Sequence, residues 1–341
     1  MNVPAPPTTS ARPAWDSTPD HRRRPPVAVV VAAVLLVPSV AATLLRVLAP
    51  TDDIGAMLAS FVPYGLLTYV LALVLLLVGL ARARRRAALG AVTVVVAALT
   101  ALHVSWLAPF FVPDHRPVVG PTFTVYAQNV YLGQADTDRL AEVAAEADVV
   151  VLSETTRAFL RRLQTPAWGE RFPYAVGDLS GSPSDTTVFS RFPLEDAQVL
   201  AGSLSTQWVM TLEVPDRTPV RLVGTHPCNP YCGGGAFARD HAVLEQTVLA
   251  NRSQPLVVAG DLNAIDDHAP LQRLRADGMR SAADLVGAGW VPTYPSNRAF
   301  PPLLPIDHVL VDDQLTATSL RTVRMPGSDH LGLLSTLAGT R

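Results

Sequence analysis

Residues 255–263 read Pro-Leu-Val-Val-Ala-Gly-Asp-Leu-Asn. The apolar and small residues from Leu256 to Ala259 are typical of a buried strand, and the polar Asp261 and Asn263 follow where that strand would end. A single Asp after an apolar run is more often a turn residue or a helix cap than a ligand. This stretch is therefore informative only together with similar stretches elsewhere in the chain.

The same arrangement of polar residues at the ends of buried runs recurs along the C-terminal two thirds of the chain. The other stretches are Gln128-Asn129, Leu152-Ser153-Glu154, Thr225-His226, Ile306-Asp307-His308 and Gly327-Ser328-Asp329-His330. Because strand ends of one sheet converge on a common rim, we expect these side chains to lie together. Carboxylates at that density repel one another unless a cation lies among them. The sequence therefore predicts a cation site.

Short β-rich runs alternate with helical or irregular stretches from Pro121 onward. The predicted strands are 123–127, 149–152, 187–189, 208–214, 220–224, 256–259, 306–311 and 316–323. Apolar residues have helical spacing in 136–147 and 237–251, and the Pro-rich segment 292–305 is interpreted as a long loop that borders the site. The alternation predicts an α/β domain with layered sheets over residues 117–341.

Three long apolar runs precede this domain, at about 27–48, 57–80 and 87–112. Each is close to the ~20 residues that cross a bilayer, and Pro38 within the first run is compatible with a kinked membrane helix. Residues 27–113 are therefore predicted to be a three-helix membrane anchor. Residues 1–26 are rich in Pro, Ser, Thr and Arg, which predicts a disordered tail.

The Arg residues near these runs predict the orientation of the anchor. Arg22–Arg24 precede the first run, Arg82 and Arg84–Arg86 separate the second from the third, and Asp52 and Asp53 lie between the first and second. Loops that carry Arg are retained in the cytoplasm. We therefore expect a multi-pass protein of the cell membrane, with a cytoplasmic N-terminus and an extracytoplasmic C-terminal domain.

The formal net charge of −2 conceals two halves of opposite sign. Residues 1–116 contain 10 Arg and 5 Asp, whereas residues 117–341 contain 17 Arg against 24 acidic residues. The acidic half lacks the basic footprint of proteins that bind long polyanions. This charge argues against nucleic acid as a partner and is compatible with a cation site.

Cys228 and Cys232 lie four residues apart in a segment that contains two Pro and is followed by three Gly. A zinc site would need two further soft ligands, and the chain has no third Cys. A local disulfide in an oxidising compartment fits better, and two unpaired thiols remain the alternative.

Taken in order, these motifs resemble the endonuclease/exonuclease/phosphatase superfamily, which includes deoxyribonuclease I-like nucleases, neutral sphingomyelinases and inositol polyphosphate 5-phosphatases. The matching stretches include Ser190-Arg-Phe-Pro193 besides those quoted above, and together they span about residues 121–337. The resemblance implies a four-layered α/β sandwich, with two mixed β-sheets flanked by helices. In this chain the sandwich would follow three transmembrane α-helices.

The resemblance also implies a metal site and a group that activates water. Glu154 is expected to be the principal metal ligand with Asn129 beside it, and Asp329 a further metal or water ligand. Hard oxygen donors of this kind suit Mg²⁺, with Mn²⁺ as the alternative. Asp261 corresponds to the residue that orients and deprotonates the attacking water, and Asn263 to the one that holds a phosphoryl oxygen.

The His residues receive different expectations. His330 resembles the imidazole that contacts the scissile phosphate, and Asp307 the carboxylate that fixes its tautomer and supports its positive charge. His226 lies where the family places a phosphate donor, so Asn229 three residues later is expected to assist. His308 follows Asp307 on a predicted strand and so points to the opposite face, which favours a structural role.

Three functions from different classes follow from these observations. The first is an extracytoplasmic, Mg²⁺-dependent phosphodiesterase or phosphatase that acts on a small or lipid-linked phosphoester. The second is a membrane-anchored nuclease facing the same side, for which the charge of the domain is unfavourable. The third is a catalytically inactive binding module, which would have no reason to keep several repelling carboxylates together.

Overall fold

The computed structural model of the protein describes residues 27–83, 87–114, 116–177 and 185–340. The predicted tail at 1–26 and Arg84–Arg86 lie outside the described residues, so the structure does not bear on them.

Three helices of the described chain are long and apolar enough to cross a membrane: Val27–Leu48, Val62–Arg82 and Ala87–Phe111. In each, fewer than a third of the residues are buried inside the bundle. Polar groups face one another inside it: the Thr43 hydroxyl lies 2.7 Å from the Tyr69 hydroxyl and 3.0 Å from Nε2 of His103. The prediction of three helices that are long and apolar enough to cross a membrane is therefore confirmed.

The second span begins later than predicted, because Met57 belongs to a separate short helix. Helix α1 (Val27–Leu48) is followed by α2 (Asp53–Ala59), a 3₁₀ turn at Val62–Tyr64, α3 (Gly65–Arg82) and α4 (Ala87–Leu107). The side chain of Asp52 caps α2 by accepting a hydrogen bond of 2.9 Å from the Gly55 amide. Such a cap favours the start of a separate helix at Asp53. The continuous apolar sequence that follows gives no indication that this helix ends before the second span.

The remaining described residues form two mixed sheets of six strands each. The strands are β1 (Val119–Asn129), β2 (Val149–Thr155), β3 (Tyr174–Val176), β4 (Asp185–Ser190), β5 (Leu194–Val199), β6 (Trp208–Leu212), β7 (Val220–Thr225), β8 (Leu256–Asp261), β9 (Arg280–Ser281), β10 (Asp307–Val311), β11 (Leu315–Arg324) and β12 (Leu331–Gly339). The first sheet has the order β11-β12-β1-β2-β4-β3 and the second β5-β6-β7-β8-β10-β9. The helices are α5 (Thr137–Ala144), α6 (Arg157–Leu163), α7 (Pro166–Arg171), α8 (Ala236–Ala250), α9 (Ala269–Ala276) and α10 (Ala282–Leu285).

Among the described residues, the apolar core of the two sheets and the helices beside them has three parts, which separate four layers. The central part lies between the two sheets and includes Val151 and Val257. A second part packs α5, α6 and α7 against the outer face of the first sheet, and a third packs α8 and α9 against the outer face of the second. The four-layered α/β sandwich is therefore confirmed, with helices on both outer faces.

The strand pairing brings the polar strand ends to one edge of the sandwich. β1 runs parallel to β2, and β7 parallel to β8, so Asn129, Glu154, His226 and Asp261 lie at carboxyl ends. β10 is antiparallel to β8 with Asp307 directly opposite Asp261. The beginning of β10 and the end of β8 therefore meet at the same rim.

Candidate active site

Asp261 is fixed at the end of β8 by a glycine that allows a close approach of two strands. Gly260 has a φ of +144°, and a Cβ there would lie 1.9 Å from the Thr225 carbonyl oxygen. Asp261 is buried, and its Oδ1 accepts a 2.8 Å hydrogen bond from the Asn263 amide. Its Oδ2 accepts a 2.9 Å hydrogen bond from Nδ2 of Asn129. The carboxylate is thus held in a single orientation.

Glu154 occupies the corresponding position on the other sheet and has a left-handed backbone, with φ of +60°. Left-handed backbone is strained for a residue other than Gly, Asn or Asp, and strain of this kind is concentrated at functional sites. Oε1 of Glu154 accepts a 2.9 Å hydrogen bond from Nδ2 of Asn129, and Oε2 accepts one of the same length from the Leu132 amide. The Asn129 side chain therefore joins the carboxylates of the two sheets.

His330 forms a buried pair with Asp307. Its Nδ1 donates to Oδ2 of Asp307 at 2.8 Å, and its Nε2 lies 3.7 Å from Oδ2 of Asp261. Burial opposes the charged imidazolium, but Asp307 and Asp261 outweigh burial and raise the pKa of His330 to about 10. The ring of Tyr294 packs against the imidazole at a centroid distance of 4.9 Å. His330 is therefore a cation at neutral pH whose Nε2 faces the central carboxylate.

His226 and Asp329 complete the cluster, and each has an unsatisfied atom. Nε2 of His226 lies 3.8 Å from Oε1 of Glu154 and 3.7 Å from Oδ2 of Asp261. Nδ1 of His226 and Oδ1 of Asp329 are buried and have no hydrogen-bond partner among the residues that the structure describes. Burial raises the pKa of Asp329, and the neighbouring carboxylates of Glu154 and Asp261 add to this effect. Buried polar atoms of this kind are available to bind a water molecule, an ion or a substrate.

The donor atoms fit a divalent cation. Glu154, His226 and Asp261 each present one ligand atom, all within 4.8 Å of one another. Carboxylate oxygens dominate the cluster, which suits Mg²⁺ or Mn²⁺. In the present arrangement Asn129 turns its amide nitrogen toward the carboxylates, while its oxygen accepts from the Tyr131 amide at 2.8 Å. The ligand roles of Asn129 and Asp329 stay predictions.

A cavity of about 230 Å³ opens over these residues. The predicted site residues that line it are Glu154, Asn229, Asp261, Asn263, Asp329 and His330. The remaining lining residues are Met57, Ser60, Phe61, Tyr131, Pro230, Tyr231, Tyr294, Leu304 and Ile306. The other predicted residues, Asn129, His226 and Asp307, do not line the cavity but contact residues that do. The cavity also contains aromatic and apolar residues that the sequence did not single out.

The loop that contains the two Cys residues forms one wall of this cavity. Cys228 and Cys232 are joined in a disulfide, as the sequence favours, so their sulfurs are not zinc ligands. Between them, Oδ1 of Asn229 accepts a 3.0 Å hydrogen bond from the Tyr231 amide. Nδ2 of Asn263 donates to the Pro227 carbonyl at 3.0 Å. This hydrogen bond joins the segment 260–263 to the loop.

His308 lies outside the cavity. It is buried, and its Nε2 donates to the Ala264 carbonyl at 2.8 Å. This contact agrees with the structural role predicted for His308 and contrasts with the adjacent Asp307.

Comparison with known proteins gives one family match and several structural matches. The sequence pattern of the Endonuclease/Exonuclease/phosphatase family matches residues 127–330, which contain each predicted site residue. No curated protein matches the sequence.

Two similar solved structures share the fold at low sequence identity. An endonuclease/exonuclease/phosphatase from Bacteroides vulgatus is 16% identical, with a TM-score of 0.52, over 64% of this chain and 100% of that one. TDP2 from D. rerio, solved with a single-strand DNA product, is 15% identical, with a TM-score of 0.51, over 64% of this chain and 99% of that one. At these identities the matches establish the fold alone.

Proposed function

This chain belongs to the endonuclease/exonuclease/phosphatase family, and we propose that it hydrolyses phosphoester bonds in a Mg²⁺-dependent reaction. One observation carries the proposal: Glu154, Asp261 and His330 line one cavity at the ends of both sheets, with His226 and Asp307 next to them. Hydrolysis of a phosphoester places extra negative charge on the phosphoryl oxygens, which cations and hydrogen-bond donors stabilise. A bound Mg²⁺, held by Glu154 with Asp261 and His226 nearby, would supply part of that positive charge.

Asp261 and His330 are the residues proposed to act on the reacting atoms. Asp261 accepts the proton of the attacking water, because the amide of Asn263 and the side chain of Asn129 hold its carboxylate toward the cavity. His330 donates from Nε2 to a phosphoryl oxygen, and Asp307 holds its Nδ1 proton in place. His226 and Asn263 are proposed to bind the phosphate, with Asn229 assisting them.

An assay of the full-length protein in detergent with Mg²⁺ tests this function. We expect turnover of 4-nitrophenyl ethyl phosphate, a chromogenic phosphodiester, or of the monoester 4-nitrophenyl phosphate. A single-stranded oligonucleotide tests the nuclease alternative in the same buffer. Absence of hydrolysis of these three substrates and of a lipid-linked phosphodiester would contradict the proposal and favour a binding module.

We also propose that the catalytic domain is extracytoplasmic. The Arg clusters lie before the first apolar helix and between the second and third, which is the side of the membrane opposite the end from which the catalytic domain continues. Alkaline phosphatase fused after Arg341 is expected to be active, since it folds only outside the cytoplasm, and a fluorescent protein that matures only in the cytoplasm is expected to be dark. An inactive phosphatase together with a bright fluorescent fusion would reverse the orientation.

A further inference from the structure

The cavity wall includes residues of the membrane anchor. Met57, Ser60 and Phe61 line the same cavity as Glu154, Asp261 and His330. Phe61 immediately precedes Val62, the first residue of the second apolar span. Because consecutive Cα atoms are about 3.8 Å apart, this part of the cavity wall directly adjoins the second apolar span.

This anchor segment is fixed to the catalytic domain by buried contacts. Ala56 in α2 is fully buried in the same apolar cluster as Phe237 and Leu271 of the outer helices. The Ala56 carbonyl accepts a 2.7 Å hydrogen bond from Nε2 of His268, whose Nδ1 in turn accepts from the Ile265 amide at 2.8 Å. The segment that contains Met57, Ser60 and Phe61 is therefore held in a fixed position as one wall of the cavity.

Further contacts hold the two ends of this segment. Arg46, near the end of α1, forms an ion pair with the buried Asp267. The Tyr64 hydroxyl, at the start of the second span, donates to the Leu303 carbonyl at 2.8 Å, next to Leu304 in the cavity wall. The position of the cavity relative to the spans is therefore set by specific contacts on both sides of α2.

The cavity has a polar end and an apolar end. The carboxylates and imidazoles lie at the sheet edge, whereas Met57, Phe61, Leu304 and Ile306 contribute hydrocarbon and aromatic surface. Phe61 is 58% exposed, so part of its side chain is available for contact with a lipid or a ligand. Among the described lining residues there is no Arg, although contacts to nucleic acid phosphates depend on basic side chains.

We propose that Met57 and Phe61 make the anchor a part of the substrate site, and that the substrate is a phosphoester carried by a membrane lipid. The phosphoester lies among Glu154, Asp261 and His330, and the hydrocarbon chain passes Phe61 into the bilayer. This inference rests on the proposed hydrolase function and names the substrate class for the same site. It assigns selectivity to residues outside the segment that the family pattern matches.

Two chromogenic phosphodiesters with the same leaving group test the proposal. The full-length protein is reconstituted in phosphatidylcholine vesicles with 4-nitrophenyl hexadecyl phosphate or 4-nitrophenyl ethyl phosphate, and 4-nitrophenol release is measured. We expect the hexadecyl ester to be preferred. We expect Phe61→Ala to lower the hexadecyl-to-ethyl ratio by about tenfold, the effect of losing most of the apolar contact of one Phe side chain. Met57→Ser should lower the same ratio and serves as the second variant.

Leu58→Ala is the matched control, because Leu58 follows Met57 in α2, has an exposure of 53% that is similar to that of Phe61, and does not line the cavity. The hexadecyl-to-ethyl ratio of this variant should equal that of the wild type. The two esters partition differently into the vesicles, but this difference is the same for every variant and so cancels when variants are compared. Two results would overturn the lipid inference alone. One is turnover of the ethyl ester without preference for the hexadecyl ester, and the other is a hexadecyl-to-ethyl ratio that neither Phe61→Ala nor Met57→Ser changes. Faster cleavage of a single-stranded oligonucleotide than of the hexadecyl ester would also overturn it. Failure to cleave any substrate would instead remove the hydrolase function itself.

Discussion

Asp261→Asn is expected to lower kcat for 4-nitrophenyl ethyl phosphate by ~10²- to 10⁴-fold, the usual contribution of a positioned general base. The substituted amide keeps the size of the side chain and can still accept from the Asn263 amide at Oδ1. It cannot accept a proton from water. Its NH₂ group would also face Nδ2 of Asn129, which donates to Oδ2 of the wild-type carboxylate. The loss should therefore appear in kcat, as measured by steady-state kinetics at saturating Mg²⁺.

Asp312→Asn is the control for this substitution. Asp312 is also buried but follows the far end of β10, where it accepts from the Gln314 amide at 3.2 Å. We expect its turnover to stay close to that of the wild type. Equal losses in the two variants would indicate a general effect of replacing a buried Asp and would remove the special role of Asp261.

His330→Gln is expected to reduce kcat by ~10²- to 10³-fold, the scale observed when a donor to a developing oxyanion is removed. In the wild-type protein the Asp307 carboxylate holds the imidazolium, and the pKa of about 10 keeps it protonated at neutral pH. The substituted side chain would be neutral and would leave Asp307 without its cationic partner. Single-turnover rates would separate this effect on chemistry from substrate binding.

His308→Gln provides the matched comparison, because His308 is also buried and is adjacent to Asp307. Its Nε2 contacts the Ala264 carbonyl and not the cavity. This variant should retain turnover and lose only thermal stability. A loss of activity in His308→Gln as large as that in His330→Gln would mean that the Asp307 pair has no distinct catalytic role.

The sequence predicted most of the sandwich, because its central strands are buried β-branched runs. The predictions at 149–152, 220–224, 256–259 and 306–311 are confirmed within a few residues. Strand β12 was not predicted, although it lies between β11 and β1. Its sequence from Leu331 to Gly339 contains two Gly and four Leu and no Val or Ile, so its strand conformation depends on pairing with both neighbours.

The site was predictable to the extent that polar residues directly follow buried strands. Pairing of β1 with β2 places Asn129 near Glu154, and pairing of β7 with β8 places His226 near Asp261. The two pairs belong to different sheets, so they meet through the packing of the sheets and not, as expected from the sequence, at the edge of one sheet. The antiparallel register of β10 and β8 places Asp307 opposite Asp261. Asp307 meets His330, which precedes β12 of the first sheet, only because the two sheets pack together, and spacing in the sequence does not predict that packing. Which atom each side chain presents was not predictable, as the orientation of the Asn129 amide illustrates.

The contribution of the anchor to the cavity had no signal in the sequence. Met57 and Phe61 lie in an apolar run, where they are indistinguishable from residues that face lipid. Only the docking of α2 on the catalytic domain, through contacts such as His268 to Ala56, turns them toward the cavity. The two partners of that contact are far apart in the chain, and such pairings arise from tertiary packing and not from local propensity.

The dependence of hydrolysis on a divalent cation tests the central claim most directly. The initial rate of 4-nitrophenyl ethyl phosphate hydrolysis by the full-length protein is measured after treatment with EDTA and again after Mg²⁺ is added in excess. The convergence of Glu154, His226 and Asp261 predicts that the rate falls to the uncatalysed level in chelator and recovers with Mg²⁺. A rate that persists unchanged in EDTA would show that hydrolysis does not depend on a cation at this site.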